Sequence, residues 1–152
     1  MDRRQLIDIM YEMNFPPNTI ALVEMMYSSE HSQLILNKSP QRPWPVARGV
    51  RQGACSSPTL FNLFPEQLLR DIQGLNGGIN VGTEQIKALF YADDLILLAP
   101  TREQLQPLIQ ATETWSRRHK LTINTKKSVY VVYNKLETAP IVINNAVMIP
   151  QS

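Results

Sequence analysis

The sequence predicts an α+β fold, and three observations carry that expectation. Apolar residues recur at helical spacing in four stretches, short apolar runs of strand type lie among them, and the two kinds do not alternate regularly. A chain of 152 residues with 43% hydrophobic and 18% charged residues has room for one domain with a real core, which argues against wholesale disorder. Eleven prolines against six glycines imply frequent interruptions. The single cysteine, Cys55, excludes an internal disulfide framework and a cysteine-rich zinc site. Met1-Asp2-Arg3-Arg4-Gln5 leads into an amphipathic stretch without a secretory apolar core. No apolar run approaches the roughly 18 residues needed to span a bilayer. The expectation is a soluble, intracellular-type chain.

The elements follow in order. Leu6, Ile9, Met10 and Met13 predict a helix over 3–14, which Pro16-Pro17 should end. A second helix is expected over 19–27, with Ile20, Val23 and Tyr27 inward. Residues 33–37 and 46–50 read as strands around a loop carrying Pro40, Pro43 and Pro45. Ser57-Pro58 suits an N-cap and first helical position, and Phe61, Phe64, Leu68 and Ile72 mark one face of a helix to about Gln73. Pro65 should kink that helix or end it early, and Gly74, Gly77 and Gly78 close this part. Residues 87–91 and 94–99 read as a tight hairpin meeting at Ala92-Asp93. Thr101 to Gln104 resembles a capping box opening a helix with Leu105, Leu108, Ile109, Thr112 and Trp115 on its face, interrupted by Pro107. Residues 128–133 read as a strand by their Val and Tyr content, and Asn144-Asn145 as the turn of a terminal hairpin.

Net charge is small, 15 − 13 = +2, but unevenly placed. Residues 31–65 hold no acid and four bases, Lys38, Arg42, Arg48 and Arg51. Residues 114–136 hold no acid and six bases: Arg117, Arg118, Lys120, Lys126, Lys127 and Lys135. Two basic stretches flanking the adjacent Asp93 and Asp94 suit a phosphate-rich ligand with a metal between, although two solvated surface faces would look similar. A hairpin tip with apolar strands on both sides should hold these carboxylates against a core. Buried and unpaired they would repel, so a metal ion is their natural partner. Mg²⁺ takes one or two carboxylates plus substrate phosphate, and two such ions serve phosphoryl transfer. A bare Asp-Asp pair is otherwise a solvated turn.

The neighbouring residues decide between those readings. Phe90-Tyr91-Ala92-Asp93-Asp94 resembles the catalytic hairpin of reverse transcriptases of the non-LTR (LINE-type) retrotransposons. Some forty residues earlier, Arg48-Gly49-Val50-Arg51-Gln52-Gly53 and Ser57-Pro58-x-Leu60-Phe61-Asn62 match the family's template- and nucleotide-facing segment. Trp115 and then Leu121-Thr122-Ile123-Asn124-x-x-Lys127-Ser128 match its fourth palm motif. The motifs occur in the family's order and cover nearly the whole chain.

The resemblance implies a polymerase palm-like antiparallel sheet with helices packed on one face, and an RNA-directed DNA polymerase that adds deoxynucleotides to a primer 3′-hydroxyl. Asp93 and Asp94 would be metal ligands and catalytic residues, for Mg²⁺ with Mn²⁺ as the alternative ion. Tyr91 would pack near the nucleotide and primer end. Gln52 and Gly53 would lie beside the nascent base pair, glycine for close approach and glutamine for donor and acceptor together. Arg51 would meet template or phosphate. Lys127 would protonate the pyrophosphate leaving group, with Lys126 second to it, and Asn124 would join the nucleic-acid-binding set. The implied partners are an RNA template, a DNA primer and dNTPs, with no membrane; a nuclear location is suggested by the family alone. Each residue also has a plainer role: Tyr91 as core, Arg51 as a solvated charge, Lys127 as a surface lysine, Asn124 as a turn former. Trp115 reads as core. Trp44 reads equally as a base-stacking residue or an exposed loop anchor. Cys55 reads as a small turn residue, and His31 and His119 are assigned no role.

The sequence also departs from the family. Its first catalytic aspartate should lie on a strand before the first helix, and Arg4-Gln5-Leu6 matches only the end of that motif, so Asp2 falls after the catalytic position. Ala54-Cys55-Ser56 replaces a more apolar turn, and Pro65 interrupts a helix the family continues. The expectation is a partial palm domain over residues 1–152, with fingers, first catalytic strand and thumb absent and 137–152 starting the connection to a missing thumb. Missing segments or a partner chain would complete it. Two aspartates would face two ions, −2 against +4, so weak ion binding and inactivity of the lone chain are expected. The alternatives are a non-catalytic nucleic-acid-binding or interaction module, a retrotransposon remnant, and, least supported, a small Mg²⁺-dependent phosphatase or nuclease.

Overall fold

The structure is a computed structural model that describes residues 2–46, 48–133 and 139–150. Lys135, and parts of the expected 46–50 strand and 137–152 connection, lie outside the described residues. The chain forms two compact units, Met1–Phe64 and Pro65–Ser152. Helices and short antiparallel strands mix in one chain, as an α+β fold requires.

In the first unit, α1 (Arg3–Glu12) is capped by Asp2, whose carboxylate accepts the Arg4 amide at 3.0 Å. It ends at Asn14, in the left-handed region at φ 57°, where asparagine is among the more tolerant residues. Pro16-Pro17 therefore does not stop α1. Pro17 instead opens α2 (Pro17–Ser28) at its first position, where a missing N–H costs nothing. Leu6, Ile9 and Met10 of α1 and Ile20 and Val23 of α2 are buried, as their spacing predicts, while Tyr27 is half-buried.

The next segment differs from expectation. Four two-residue strands, β1 (His31–Ser32), β2 (Ile35–Leu36), β3 (Ser39–Pro40) and β4 (Trp44–Pro45), pair as β1 with β4 and β2 with β3. Pro40 and Pro45 thus lie in strands, and among the described residues of 46–50 the expected strand shows only a bridge from Arg48 to Asp2. Helix α3 (Ser57–Gln73) begins in the first unit and ends in the second, and continues through Pro65. Ser57 does not act as an N-cap acceptor: its hydroxyl donates to the Arg51 carbonyl at 2.5 Å.

In the second unit, Lys87 closes the end of α3 by donating to the carbonyls of Gln73 and Leu75, at 2.6 and 2.7 Å. A hairpin of β5 (Ile79–Val81) and β6 (Glu84–Ile86) follows, which the sequence does not predict. Gly78, at φ +86°, is required there because an added Cβ would lie 2.9 Å from the Ile86 carbonyl oxygen. Strands β7 (Ala88–Tyr91) and β8 (Asp94–Leu97) form the predicted hairpin. Helix α4 (Arg102–Arg118) starts at Thr101, whose hydroxyl accepts the Gln104 amide, and accommodates Pro107. Strands β9 (Ile141–Ile143) and β10 (Ala146–Met148) turn at Asn144-Asn145, both at positive φ as a tight primed turn demands.

Ile109, Tyr130 and Ile141 form a buried cluster with Leu97, Leu105, Val132, Ile143 and Met148 packed around it. Residues 128–133 are therefore inward through Tyr130 but do not form one of the paired strands. Nor do the described residues form one continuous sheet with helices on a face. Their paired strands make five separate two-stranded ribbons.

Candidate active site

The adjacent carboxylates sit where the hairpin pattern places them. Tyr91 pairs with Asp94, so Ala92 and Asp93 are the entire connecting loop. Below them Leu89 faces Ile96 and Phe90 faces Leu95. Alternation turns Ala88, Phe90, Leu95 and Leu97 inward and leaves Leu89, Tyr91, Asp94 and Ile96 exposed. The base is anchored by Leu97 in the core cluster, and by the Gly78 amide donating to the Leu98 carbonyl at 3.0 Å. An anchored base with a free tip presents the loop outward.

That geometry corrects one expectation. Asp93 and Asp94 are not held against a core; both are exposed, so desolvation does not demand a metal here. Tyr91, 84% exposed, is not a core residue either. Two adjacent carboxylates still suit one hard divalent ion, with phosphate and water oxygens completing its shell. Among the described residues no third His, Cys, Asp or Glu joins them in a metal-sized cluster.

Ala92 takes φ 53°, which costs a residue with a Cβ about 1–2 kcal/mol. Ala92→Gly should therefore stabilise the second unit by about 0.5–1 kcal/mol, after the added flexibility of the unfolded chain is counted. Thermal melts should show a rise of about 2–4 °C per kcal/mol. An unchanged or lowered midpoint would show that the loop is not strained.

The glycine-glutamine segment belongs to the first unit. Arg51, Gln52 and Gly53 are all exposed, and Gly53 adopts φ +85°. Its glycine is thus required by backbone conformation, whatever approaches it. The turn is fixed through the Arg51 carbonyl, which accepts from the Ala54 amide at 3.2 Å as well as from Ser57.

Behind it stands a network the sequence reading missed. Arg3 donates to the carbonyls of Gly49 (3.0 Å), Tyr27 (3.5 Å) and Val46, pairs with Glu30, and stacks its guanidinium 4.6 Å from the Tyr27 ring centroid. Glu30 also lies 3.9 Å from Arg51. These partners are scattered along the chain, so no local pattern could have announced them.

Asn124, Lys126 and Lys127 share a turn in the second unit. The Asn124 side chain accepts the Lys126 amide at 3.2 Å, and its carbonyl accepts the Lys127 and Ser128 amides at 3.0 Å. Asn124 therefore acts as a turn former, while Lys127 is exposed. Trp115 is 8% exposed and tilts against the buried His119 ring, centroids 5.1 Å apart, which makes it core.

Comparison with known proteins adds the deciding observation. A family model described as reverse transcriptase (RNA-dependent DNA polymerase) matches residues 2–142. The chain belongs to the reverse transcriptase family. It is 34% identical over 127 residues to a retrovirus-related Pol polyprotein from the type-1 retrotransposable element R2 of Nasonia vitripennis, covering 84% of this chain and 12% of that protein. It is 37% identical over 87 residues to the corresponding R2 polyprotein of Popillia japonica, covering 57% of this chain and 12% of the relative. A 66-residue stretch is 47% identical to the type-2 R2DM polyprotein of Drosophila melanogaster, covering 43% of this chain and 6% of that protein. The chain thus spans about an eighth of the length of the first two relatives. These matches support a reverse transcriptase domain of the non-LTR type, as the motifs predicted. The family works on a nucleic-acid template and primer with divalent metal ions. Among the described residues no helix is long and apolar enough to cross a membrane.

Proposed function

We propose that this chain supplies the metal-bearing hairpin and the nucleotide-facing turn of an RNA-directed DNA polymerase palm. The observation that carries the reading is the β7–β8 hairpin, anchored at its base and exposing Asp93 and Asp94 at its tip inside the family match. On this reading residues 1–152 are one partial palm domain, and the ribbons assemble into its sheet when further polymerase segments or a partner chain complete it. The last part, 137–152, leads toward the thumb.

Asp93 and Asp94 would hold Mg²⁺, or Mn²⁺ in its place. Such ions, when bound, lower the cost of deprotonating a primer hydroxyl and of developing charge on phosphate. Tyr91, exposed beside Asp94, offers a stacking surface to a base or sugar. Gln52 offers donor and acceptor to the nascent pair, and Arg51 a cation to template or phosphate. Lys127, exposed, would donate a proton to a leaving pyrophosphate, and Asn124 contributes by shaping the turn that presents it. RNA template, DNA primer and dNTPs are the substrates.

The 152-residue chain alone should not extend a primer. Its two tip carboxylates carry −2 against the +4 of two divalent ions, and no third ligand joins them among the described residues. An assay with an annealed RNA template and DNA primer, Mg²⁺ or Mn²⁺ and dNTPs checks this. Extension that disappears in Asp93→Asn would show the lone chain to be a complete catalyst.

A further inference from the structure

The segment from His31 to Pro45 has no place in the catalytic reading, yet it is a built structure. Its two short ladders run in line, joined by the Gln41 amide donating to the Leu34 carbonyl and the Gln33 side chain donating to the Gln41 carbonyl, both at 2.8 Å. Ser32 pairs with Trp44, but Ile35 pairs with Pro40. The returning side therefore carries one extra residue, a bulge at Arg42-Pro43. Asn37 and Lys38 close the far end, both at positive φ.

Every residue from 33 to 45 is exposed. Leu34, Ile35, Leu36 and Trp44 are large apolar side chains left in water, Trp44 at 48% exposure. Exposure of this kind on a ribbon with no core of its own marks an interaction surface. Two features identify the partner. The ribbon carries Lys38 and Arg42 and no acid, and the acid-free run continues past Arg48 and Arg51 to residue 65, which suits a polyanion. Pro40, Pro43 and Pro45 remove N–H donors from the returning strand, so an added protein strand would find a broken ladder on that edge. The side chains suit a nucleic acid: an exposed indole and aliphatic faces for bases, two cations for phosphates.

We propose that the 31–45 ribbon binds single-stranded nucleic acid, with Trp44 stacking on a base and Lys38 and Arg42 meeting phosphates. The inference rests on the polymerase reading for the class of partner, and adds a contact surface that neither the carboxylate hairpin nor the Gln52-Gly53 turn provides.

The test uses the full chain and two 12-nucleotide probes, oligothymidylate and oligouridylate, at 50 mM salt. The chain has two tryptophans, exposed Trp44 and buried Trp115, so quenching of the exposed emission reports on Trp44. Trp44→Leu should abolish the quenching and weaken binding, read by anisotropy of a labelled probe, roughly 5- to 150-fold, with Trp44→Phe recovering part of it. Lys38→Ala with Arg42→Ala should reduce the slope of log affinity against log salt by about 1.4. These residues are exposed, so the melting midpoint should not move. Unquenched Trp44, or binding and salt slope unaltered in both variants, would overturn the proposal. The polymerase reading answers separately, to metal binding at Asp93, so a chain that binds metal there but ignores the oligonucleotides loses the ribbon inference alone.

Discussion

Arg3→Ala should lower the stability of the first unit by about 3 kcal/mol. The side chains of Arg3 and Glu30 are only 12% and 16% exposed, so their ion pair is poorly screened by water. Removing the guanidinium leaves Glu30, in a half-buried place, with only the exposed Arg51 at 3.9 Å, and leaves the carbonyls of Gly49, Val46 and Tyr27 short of a donor. It also removes the cation from the Tyr27 ring. Lysine at this position keeps charge but loses the fork that reaches several acceptors, so Arg3→Lys should retain less than half of the contribution. Glu30→Gln keeps an acceptor and should cost about 1 kcal/mol. Denaturant titration read by amide exchange in α1 and α2 measures all three. Because Arg3 ties Val46 and Gly49 to both helices, the Arg51–Gly53 turn should lose exchange protection with it. A loss under 1 kcal/mol for Arg3→Ala would mean that the network is surface decoration.

What the sequence could reveal depended on how local the cause was. The helices follow from apolar spacing within one turn, and the hairpins at Ala92-Asp93 and Asn144-Asn145 from turn chemistry beside paired apolar runs. Pro65 and Pro107 do not end their helices, because burial beside them, at Phe64 and Leu68 and at Leu108 and Ile109, outweighs one missing backbone bond in each helix. Residues 128–133 have strand composition, yet only Val131 takes part in a bridge, because the length of a ladder depends on the partner edge as well as on composition. The β5–β6 hairpin was missed although Gly82 between Val81 and Glu84 could have marked its turn; its strands are short and largely exposed, so apolar patterning says little. The site shows the same division. Motif residues were legible one by one, and the placement of Asp93 in a two-residue loop was legible from spacing. Its exposure was not anticipated, although a loop of that length must project past the last ladder pair. Arg3 and Glu30 were illegible because their partners are distant in sequence.

Asp93→Asn should remove divalent-metal binding from the hairpin and, in a completed polymerase, its catalysis. Mn²⁺ is a convenient probe because it broadens nearby amide resonances. Added in small amounts to the 152-residue protein, it should broaden Tyr91 to Leu95 before any other segment, since the described residues place the adjacent carboxylates there. Binding should be weak, because two exposed carboxylates leave most of the shell to water. Asparagine preserves shape and hydrogen-bonding capacity but halves the local charge, so selective broadening should vanish while the hairpin's other shifts stay put. In an active polymerase that carries this hairpin, the same substitution should reduce primer extension by more than the roughly 10²–10³-fold lost with a single transition-state donor, because a metal ligand acts through the ion's full charge. Broadening centred elsewhere, or extension that survives Asp93→Asn, would remove this hairpin from the catalytic role.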